Sequence, residues 1–155
     1  MKEVKLITVV NKSDNLLPQY STEGAFAMDL RSAQDITIPY GETVVVKTGL
    51  FMAVPKGYAL RIVGRSGLSS KGLIISNAPG TIDEDYRGEV GIIMTNLAVH
   101  YVENGKLEGI SFGISKQERI AQCYLEAKIP FSFVKVDSLD ETARGEGGFG
   151  HTGTK

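Results

Sequence analysis

The sequence predicts an all-β domain of jelly-roll type, an antiparallel sandwich or barrel, from three observations. Short runs rich in Val, Ile, Thr and Tyr recur at a spacing of roughly 8–12 residues, as strands do. The chain has 18 glycines, many of them between those runs, where they mark turns. No long window carries apolar residues at a 3.6-residue period, and the nearest approach to a helix is one turn over residues 66–71.

In chain order, a β-branched run at 4–10 leads into a polar loop over 12–24 that Pro18 breaks. Strands are expected at 36–38, 43–46, 50–54, 58–63, 73–76, 90–96, 99–102, 110–114 and 120–129, with a turn at Glu103-Asn104-Gly105-Lys106. In the last strand, Ala121, Cys123, Leu125, Ala127 and Ile129 share one face, and Gln122, Tyr124, Glu126 and Lys128 share the other. The single cysteine excludes an intrachain disulfide, and its place on the apolar face predicts a buried filler.

The 155 residues fit one domain, large enough to bury roughly 70% of its unfolded surface. The barrel is expected over 1–139, followed by a flexible Gly-rich C-terminal arm over 140–155. With 17 Lys and Arg against 18 Asp and Glu, net −1, there is no basic footprint for nucleic acid or a lipid surface, so any anion must meet a local cluster. No apolar stretch approaches the ~18 residues of a membrane span, and the N-terminus lacks a signal-peptide core, so an intracellular, reducing setting is expected.

Five stretches carry chemistry. Residues 77–90, NAPGTIDEDYRGEV, read as a β-hairpin in which Pro79 and Gly80 shape the turn, presenting a carboxylate, a ring and a cation to a small ligand. In GAFAMDLRSA, residues 24–33, Asp29 sits between Met28 and Leu30 and must face away from the core or be buried with a partner. GRSGLSSKG, residues 64–72, follows a strand with free backbone and the donors of Arg65 and Ser66, a combination that cradles phosphate or makes an ordinary turn. QERIAQ, residues 117–122, places Gln122 on the polar strand face. RGEGGFGHTGTK, from Arg144, is either a disordered tail or an arm that orders around a base and a phosphate. The two histidines, His100 and His151, lie far apart without zinc-ligand spacing.

In wording and order these stretches resemble the five motifs of the homotrimeric dUTPase family, the deoxyuridine triphosphate nucleotidohydrolases, over residues 24–153. The resemblance implies a jelly-roll-like β-barrel and active sites shared between subunits, with the third motif from one chain, the first, second and fourth from another, and the fifth from the last. It implies that Asp83 activates the water that attacks the α-phosphorus, and that Gln122 contacts the α-phosphate. Asn77 and the backbone of Gly80, Thr81 and Ile82 would read uracil, with no room for a 5-methyl group, and Tyr86 would lie under the deoxyribose and exclude a 2′-hydroxyl. Arg65, Ser66 and Gly67 would bind phosphate, and Asp29 would hold Mg²⁺ through water. In the arm, Phe149 would stack on uracil while Arg144, Gly150, His151 and Thr152 close over the phosphates.

The implied reaction is Mg²⁺-dependent hydrolysis of dUTP to dUMP and pyrophosphate, which limits uracil in DNA and supplies dUMP for thymidylate synthesis. Alternative readings are a dCTP deaminase-like relative, disfavoured by Tyr86 and the hydrolase wording of the third motif, and a regulatory nucleotide-binding protein of the same fold. Ala27, Met28, Gln117, Glu118 and His151 depart from the family pattern. Residues 97–116 form a longer segment than usual between the third and fourth motifs, either a solvent loop or a contact surface for another protein.

Overall fold

In the computed structural model, which describes residues 4–102 and 105–148, twelve strands and one helical turn are present among the described residues. One four-stranded antiparallel sheet has the order β1-β4-β8-β6, comprising β1 (Thr8–Asn11), β4 (Thr43–Ala53), β8 (Glu89–Asn96) and β6 (Leu73–Ile75). A second has the order β2-β12-β5-β7, comprising β2 (Met28–Arg31), β12 (Arg119–Ala127), β5 (Tyr58–Gly64) and β7 (Gly80–Ile82). Two ribbons complete the fold, β3 (Ile36–Ile38) with β11 (Phe112–Ile114) and β9 (Val99–Tyr101) with β10 (Leu107–Gly109). The sole helical element among the described residues, α1 (Ser66–Ser69), follows β5.

Alternation builds the core. In β8 every second residue is buried, and Val90, Ile92 and Met94 meet Leu60, Ile62, Ile120 and Cys123 from the other sheet in one apolar cluster. The jelly-roll reading therefore holds, with the two sheets and the β3–β11 ribbon enclosing the core while the β9–β10 ribbon lies exposed outside it. No helix among the described residues is long and apolar enough to cross a membrane.

Two expectations change in ways that bear on the site. The strands expected at 43–46 and 50–54 are one strand, β4, whose register against β8 shifts between Lys47 and Phe51. Gly49, at φ +72°, sits in that bulge, and its N–H donates to Glu89 Oε1 at 2.9 Å. A β-carbon there would lie 2.6 Å from Ser13 Cβ, so glycine serves both the backbone angle and the close approach.

Residues 77–90 are not a hairpin. β7 pairs with β5 and β8 pairs with β4 and β6, so the stretch carries the chain from one sheet to the other. The turn between them is closed by Tyr86 N–H donating to Asp83 O at 3.2 Å. Arg87 Nη1 donates to the carbonyls of Glu84 and Tyr86, each at 2.8 Å, and the Glu84 carboxylate accepts from Gly57 N–H.

The 97–116 segment is built around the β9–β10 ribbon, with Tyr101 paired to Leu107 and both exposed. Beyond β12, residues 128–148 contain no strand or helix, and Ile129, Phe131, Phe133, Val134 and Leu139 are exposed, Phe133 at 92%. Phe131 and Phe133 meet edge to face with ring centroids 5.4 Å apart.

Candidate functional site

The outer face of the β2-β12-β5-β7 sheet gathers most of the site residues. Directly opposed residues of antiparallel neighbours point to one face, and Gln122 opposes both Asp29 on β2 and Val63 on β5. Asp29 is the centre of a cluster. Its side chain is 11% exposed, with Arg65 Nε 3.1 Å from Oδ1 and Arg119 Nη1 3.2 Å from Oδ2. Gln122 Nε2 donates to Oδ1 and Ser21 Oγ to Oδ2, both at 3.3 Å. The expectation that Asp29 needs a partner if buried is met by two guanidiniums and an amide.

Arg65 occupies the N-cap position of α1 with extended backbone, φ −90° and ψ 128°, and its Nη1 donates to Arg119 O at 2.9 Å. Ser66 and Gly67 lie in the first turn, where a β-carbon on Gly67 would meet nothing within 4 Å. This leaves room beside Arg65 for a ligand to reach the turn.

The third motif lies elsewhere on the same sheet. Thr81 opposes Arg61, and Asp83, two residues on, follows the end of β7 beside Ala59. The Asp83 side chain is exposed, and no donor engages it among the described residues. Gly80 is buried, and a β-carbon there would come within 3.3 Å of Ile62 and 3.4 Å of Asn77 Nδ2, so the backbone of Gly80 to Ile82 is closely framed by Asn77 and β5. The Tyr86 ring lies over Gly88, where any β-carbon would collide with it, and its hydroxyl donates to Glu89 O at 3.1 Å. These contacts fix a ring that is 43% exposed.

A groove of about 740 Å³ runs past Asp83, Thr81, Arg61 and Glu126 to Ile129 and Phe131. Across it Arg61 Nε meets Glu126 Oε2 at 2.5 Å, and Arg61 Nη1 donates to Thr81 Oγ1.

One separation decides how these parts can be used. Val63, opposite Gln122, and Ala59, beside Asp83, are four residues apart on β5, and β12 and β7 flank that strand. Four residues and two strand spacings place Asp83 and Gln122 roughly 16 Å apart. Within one chain, then, the structure brings together Asp29, Arg65 and Gln122, and keeps Asp83 and Tyr86 away from them. Arg144 donates from Nε to Gly147 O at 2.7 Å, inside its own turn. Phe149, Gly150, His151 and Thr152 lie outside the described residues.

The Asp29 cluster also tests the expected metal. No group of three or more His, Cys, Asp or Glu residues suited to a cation is present among the described residues, and both oxygens of Asp29 already accept hydrogen bonds. Such a donor set does not cage a bare ion. The one way such a donor set is compatible with Mg²⁺ is through the ion's own waters, since Mg²⁺ dehydrates reluctantly and takes phosphate oxygens as ligands.

Sequence reasoning missed Arg119. Alternation along β12 puts residues 119 and 122 on opposite faces, but a bulge between Arg119 and Ala121 against β2 reverses the parity and turns Arg119 toward Asp29. The neighbouring Gln117 has φ +69°, a backbone region that favours glycine, which gives the Gln117 departure from the family pattern a structural meaning. Arg31 Nη1 donates to its carbonyl at 2.8 Å and its N–H donates to Ser32 O at 2.8 Å, so the conformation is held from β2.

Cys123 is buried at 4% exposure, as its strand face requires. Burial first, and the charge of Asp29 second, push its thiol up from 9.0 to about 12. With the folded value above the unfolded one, this contribution to stability is fully present below pH 9.0 and lost as pH rises toward about 12. At pH 8 the folded protein is expected to resist iodoacetamide under conditions that fully alkylate the unfolded chain. Equal modification by mass spectrometry in both states would show an accessible thiolate.

The outer sheet face thus sets two arginines and an amide around one carboxylate, and carries farther along it a second carboxylate that no donor among the described residues engages. The comparisons with known proteins name the protein's class. The dUTPase family matches residues 14–153, and the chain belongs to that family. A deoxyuridine 5′-triphosphate nucleotidohydrolase of Finegoldia magna is 43% identical over 150 residues, spanning 95% of this chain and 98% of that protein. Its counterpart in Fusobacterium nucleatum is 41% identical over 156 residues, spanning 99% of both. Among solved structures, the dUTPase of Staphylococcus bacteriophage 80alpha with dUpNHpp superposes with a TM-score of 0.81 at 27% identity, over 97% of this chain and 99% of that one.

Proposed function

We propose that the protein hydrolyses dUTP to dUMP and pyrophosphate, acting inside the cell to limit uracil in DNA and to supply dUMP for dTMP synthesis. The observation that carries the reading is a family match over residues 14–153, which takes in the first four motif stretches and all but the last two residues of the fifth. Incubation with each deoxynucleoside triphosphate and Mg²⁺ tests it. Pyrophosphate is expected from dUTP and ammonia from none; ammonia released from dCTP would move the chain to the deaminases.

In this reading, Asp83 takes the proton of a water aimed at the α-phosphorus, a task suited to an exposed carboxylate with no competing donor. Arg65, Ser66 and Gly67 hold the phosphates, and Gln122 gives its amide N–H to an α-phosphate oxygen in place of Asp29. Asn77 and the backbone of Gly80 to Ile82 read the uracil edge. The Tyr86 ring, fixed over Gly88, closes the space a 2′-hydroxyl would need. Mg²⁺ on the triphosphate, held by Asp29 through water, would draw charge from the phosphate oxygens.

We further infer that the working unit is a homotrimer with shared sites. A water held by Asp83 and a phosphate held by Gln122 must come within a few ångströms of each other, and roughly 16 Å separates the two residues in one chain. The exposed apolar residues of 129–139 also need covering by another surface. Asp83→Asn and Arg65→Ala chains, each inactive alone, are therefore expected to regain activity when denatured and refolded together. Demonstrated mixed trimers without activity would place each site within a single chain.

A further inference from the structure

We propose that Arg119 is a substrate-positioning residue, the cation that keeps Asp29 neutralised and in place while Arg65 engages the triphosphate. The inference rests on the dUTP-hydrolase reading.

Asp29 is paired with both guanidiniums, Arg65 Nε lying 3.1 Å from Oδ1 and Arg119 Nη1 donating to Oδ2, the groups a phosphate oxygen would also attract. The two arginines are also tied to each other, through Arg65 Nη1 and the Arg119 carbonyl. Two guanidiniums and one carboxylate leave a local charge of about +1, in a protein whose net charge is −1.

Binding disturbs this balance. If Arg65 turns to phosphate, Asp29 loses one of its two cations. A carboxylate only 11% exposed would then keep a single guanidinium beside a triphosphate that stays anionic even with Mg²⁺ on it, and losing that last guanidinium as well would leave a largely buried charge unpaired, which is strongly unfavourable. Arg119 is placed to prevent that. It is 46% exposed, its Nη1 stays on Asp29 Oδ2, and no acceptor takes its Nε or Nη2 among the described residues. The bulge between Arg119 and Ala121 fixes its direction, so its backbone does not have to move when the ligand arrives. The demand on Arg119 grows with the ligand's negative charge, and this separates a positioning role from a merely structural one.

The test measures Kd for dUpNHpp and for dUMP by calorimetry on wild-type, Arg119→Gln and Arg119→Lys proteins, with thermal unfolding of each. Arg119→Gln is expected to weaken dUpNHpp at least tenfold while dUMP changes less than about threefold, with Tm nearly unchanged. Arg119→Lys, which keeps the charge, is expected to recover part of that discrimination. Equal weakening of both ligands, no weakening of either, a lysine variant no better than the glutamine variant, or a chain that no longer folds would each overturn the proposal. Wild-type protein that binds neither nucleotide would remove the dUTP-hydrolase reading itself.

Discussion

Replacing Asp83 by Asn is expected to lower kcat for dUTP by ~10²-fold or more while KM, oligomeric state and Tm stay close to wild type. The structure gives the reason for the separation. Asp83 is exposed, and its surroundings are held by backbone contacts that do not involve its carboxylate: Tyr86 N–H on Asp83 O, Arg87 on the carbonyls of Glu84 and Tyr86, and Gly57 N–H on Glu84. An amide of the same shape leaves all of these in place and removes only the proton acceptor. Asp29 contrasts with it, since its carboxylate serves two arginines and a glutamine, and its loss would disturb geometry and charge together. Steady-state pyrophosphate release, with gel filtration of the same sample, checks the prediction. A kcat within a few-fold of wild type would take Asp83 out of the role of base.

Much of this architecture was legible in the sequence because strand alternation is a local signal. β12 buries Ala121 and Cys123 and leaves Gln122 and Tyr124 half-buried as the polar-apolar pattern implies, whereas Ile120 is buried out of turn at the bulge and Ala127 and Ile129 are exposed. What the pattern could not carry was register and pairing. The break read between residues 46 and 50 is a bulge inside β4, because Gly49 interrupts the alternation without ending the strand. The stretch 77–90 has the turn residues of a hairpin, yet its two strands pair with different partners, and such pairing depends on contacts distant in sequence. β10 carries no strand signal of its own, because Leu107-Glu108-Gly109 is short and polar and takes its order from β9. Arg119 was hidden for a related reason, since a single extra residue in β12 inverts the face that alternation assigns to it. Asp29, Arg65 and Gln122 were recognisable from motif wording. Their mutual bonding, and the roughly 16 Å that separates them from Asp83, required the sheet order.

Truncation after Ala143 is expected to reduce kcat/KM for dUTP by roughly two orders of magnitude or more, the scale of lost positioning, while fold and assembly persist. The deletion removes residues 144–155, and none of the described ones among them, 144–148, belongs to the core. The last strand ends at Ala127, and Arg144 spends its described hydrogen bond on Gly147 within one local turn, so the barrel loses no tie of its own. Residues 144–153 include five glycines, and ordering each residue costs about 1–2 kcal/mol of backbone entropy, so the arm needs a ligand to hold it closed. A triphosphate supplies one. Arg144 can exchange its carbonyl partner for a charged phosphate oxygen, the glycine-rich backbone can add N–H donors, and Phe149 can stack on the uracil ring. Closure would then exclude bulk water from the phosphates and fix them for attack by the water at Asp83. Because dUMP has no γ-phosphate, its affinity should fall much less than that of dUpNHpp, and Tm should stay within about two degrees of the full-length value, as expected for a deletion outside the core. Parallel measurements of kcat/KM, both dissociation constants and Tm on the full-length and truncated chains decide the matter. Hydrolysis of dUTP at nearly the full rate by the truncated protein would make the arm a tail without a catalytic role.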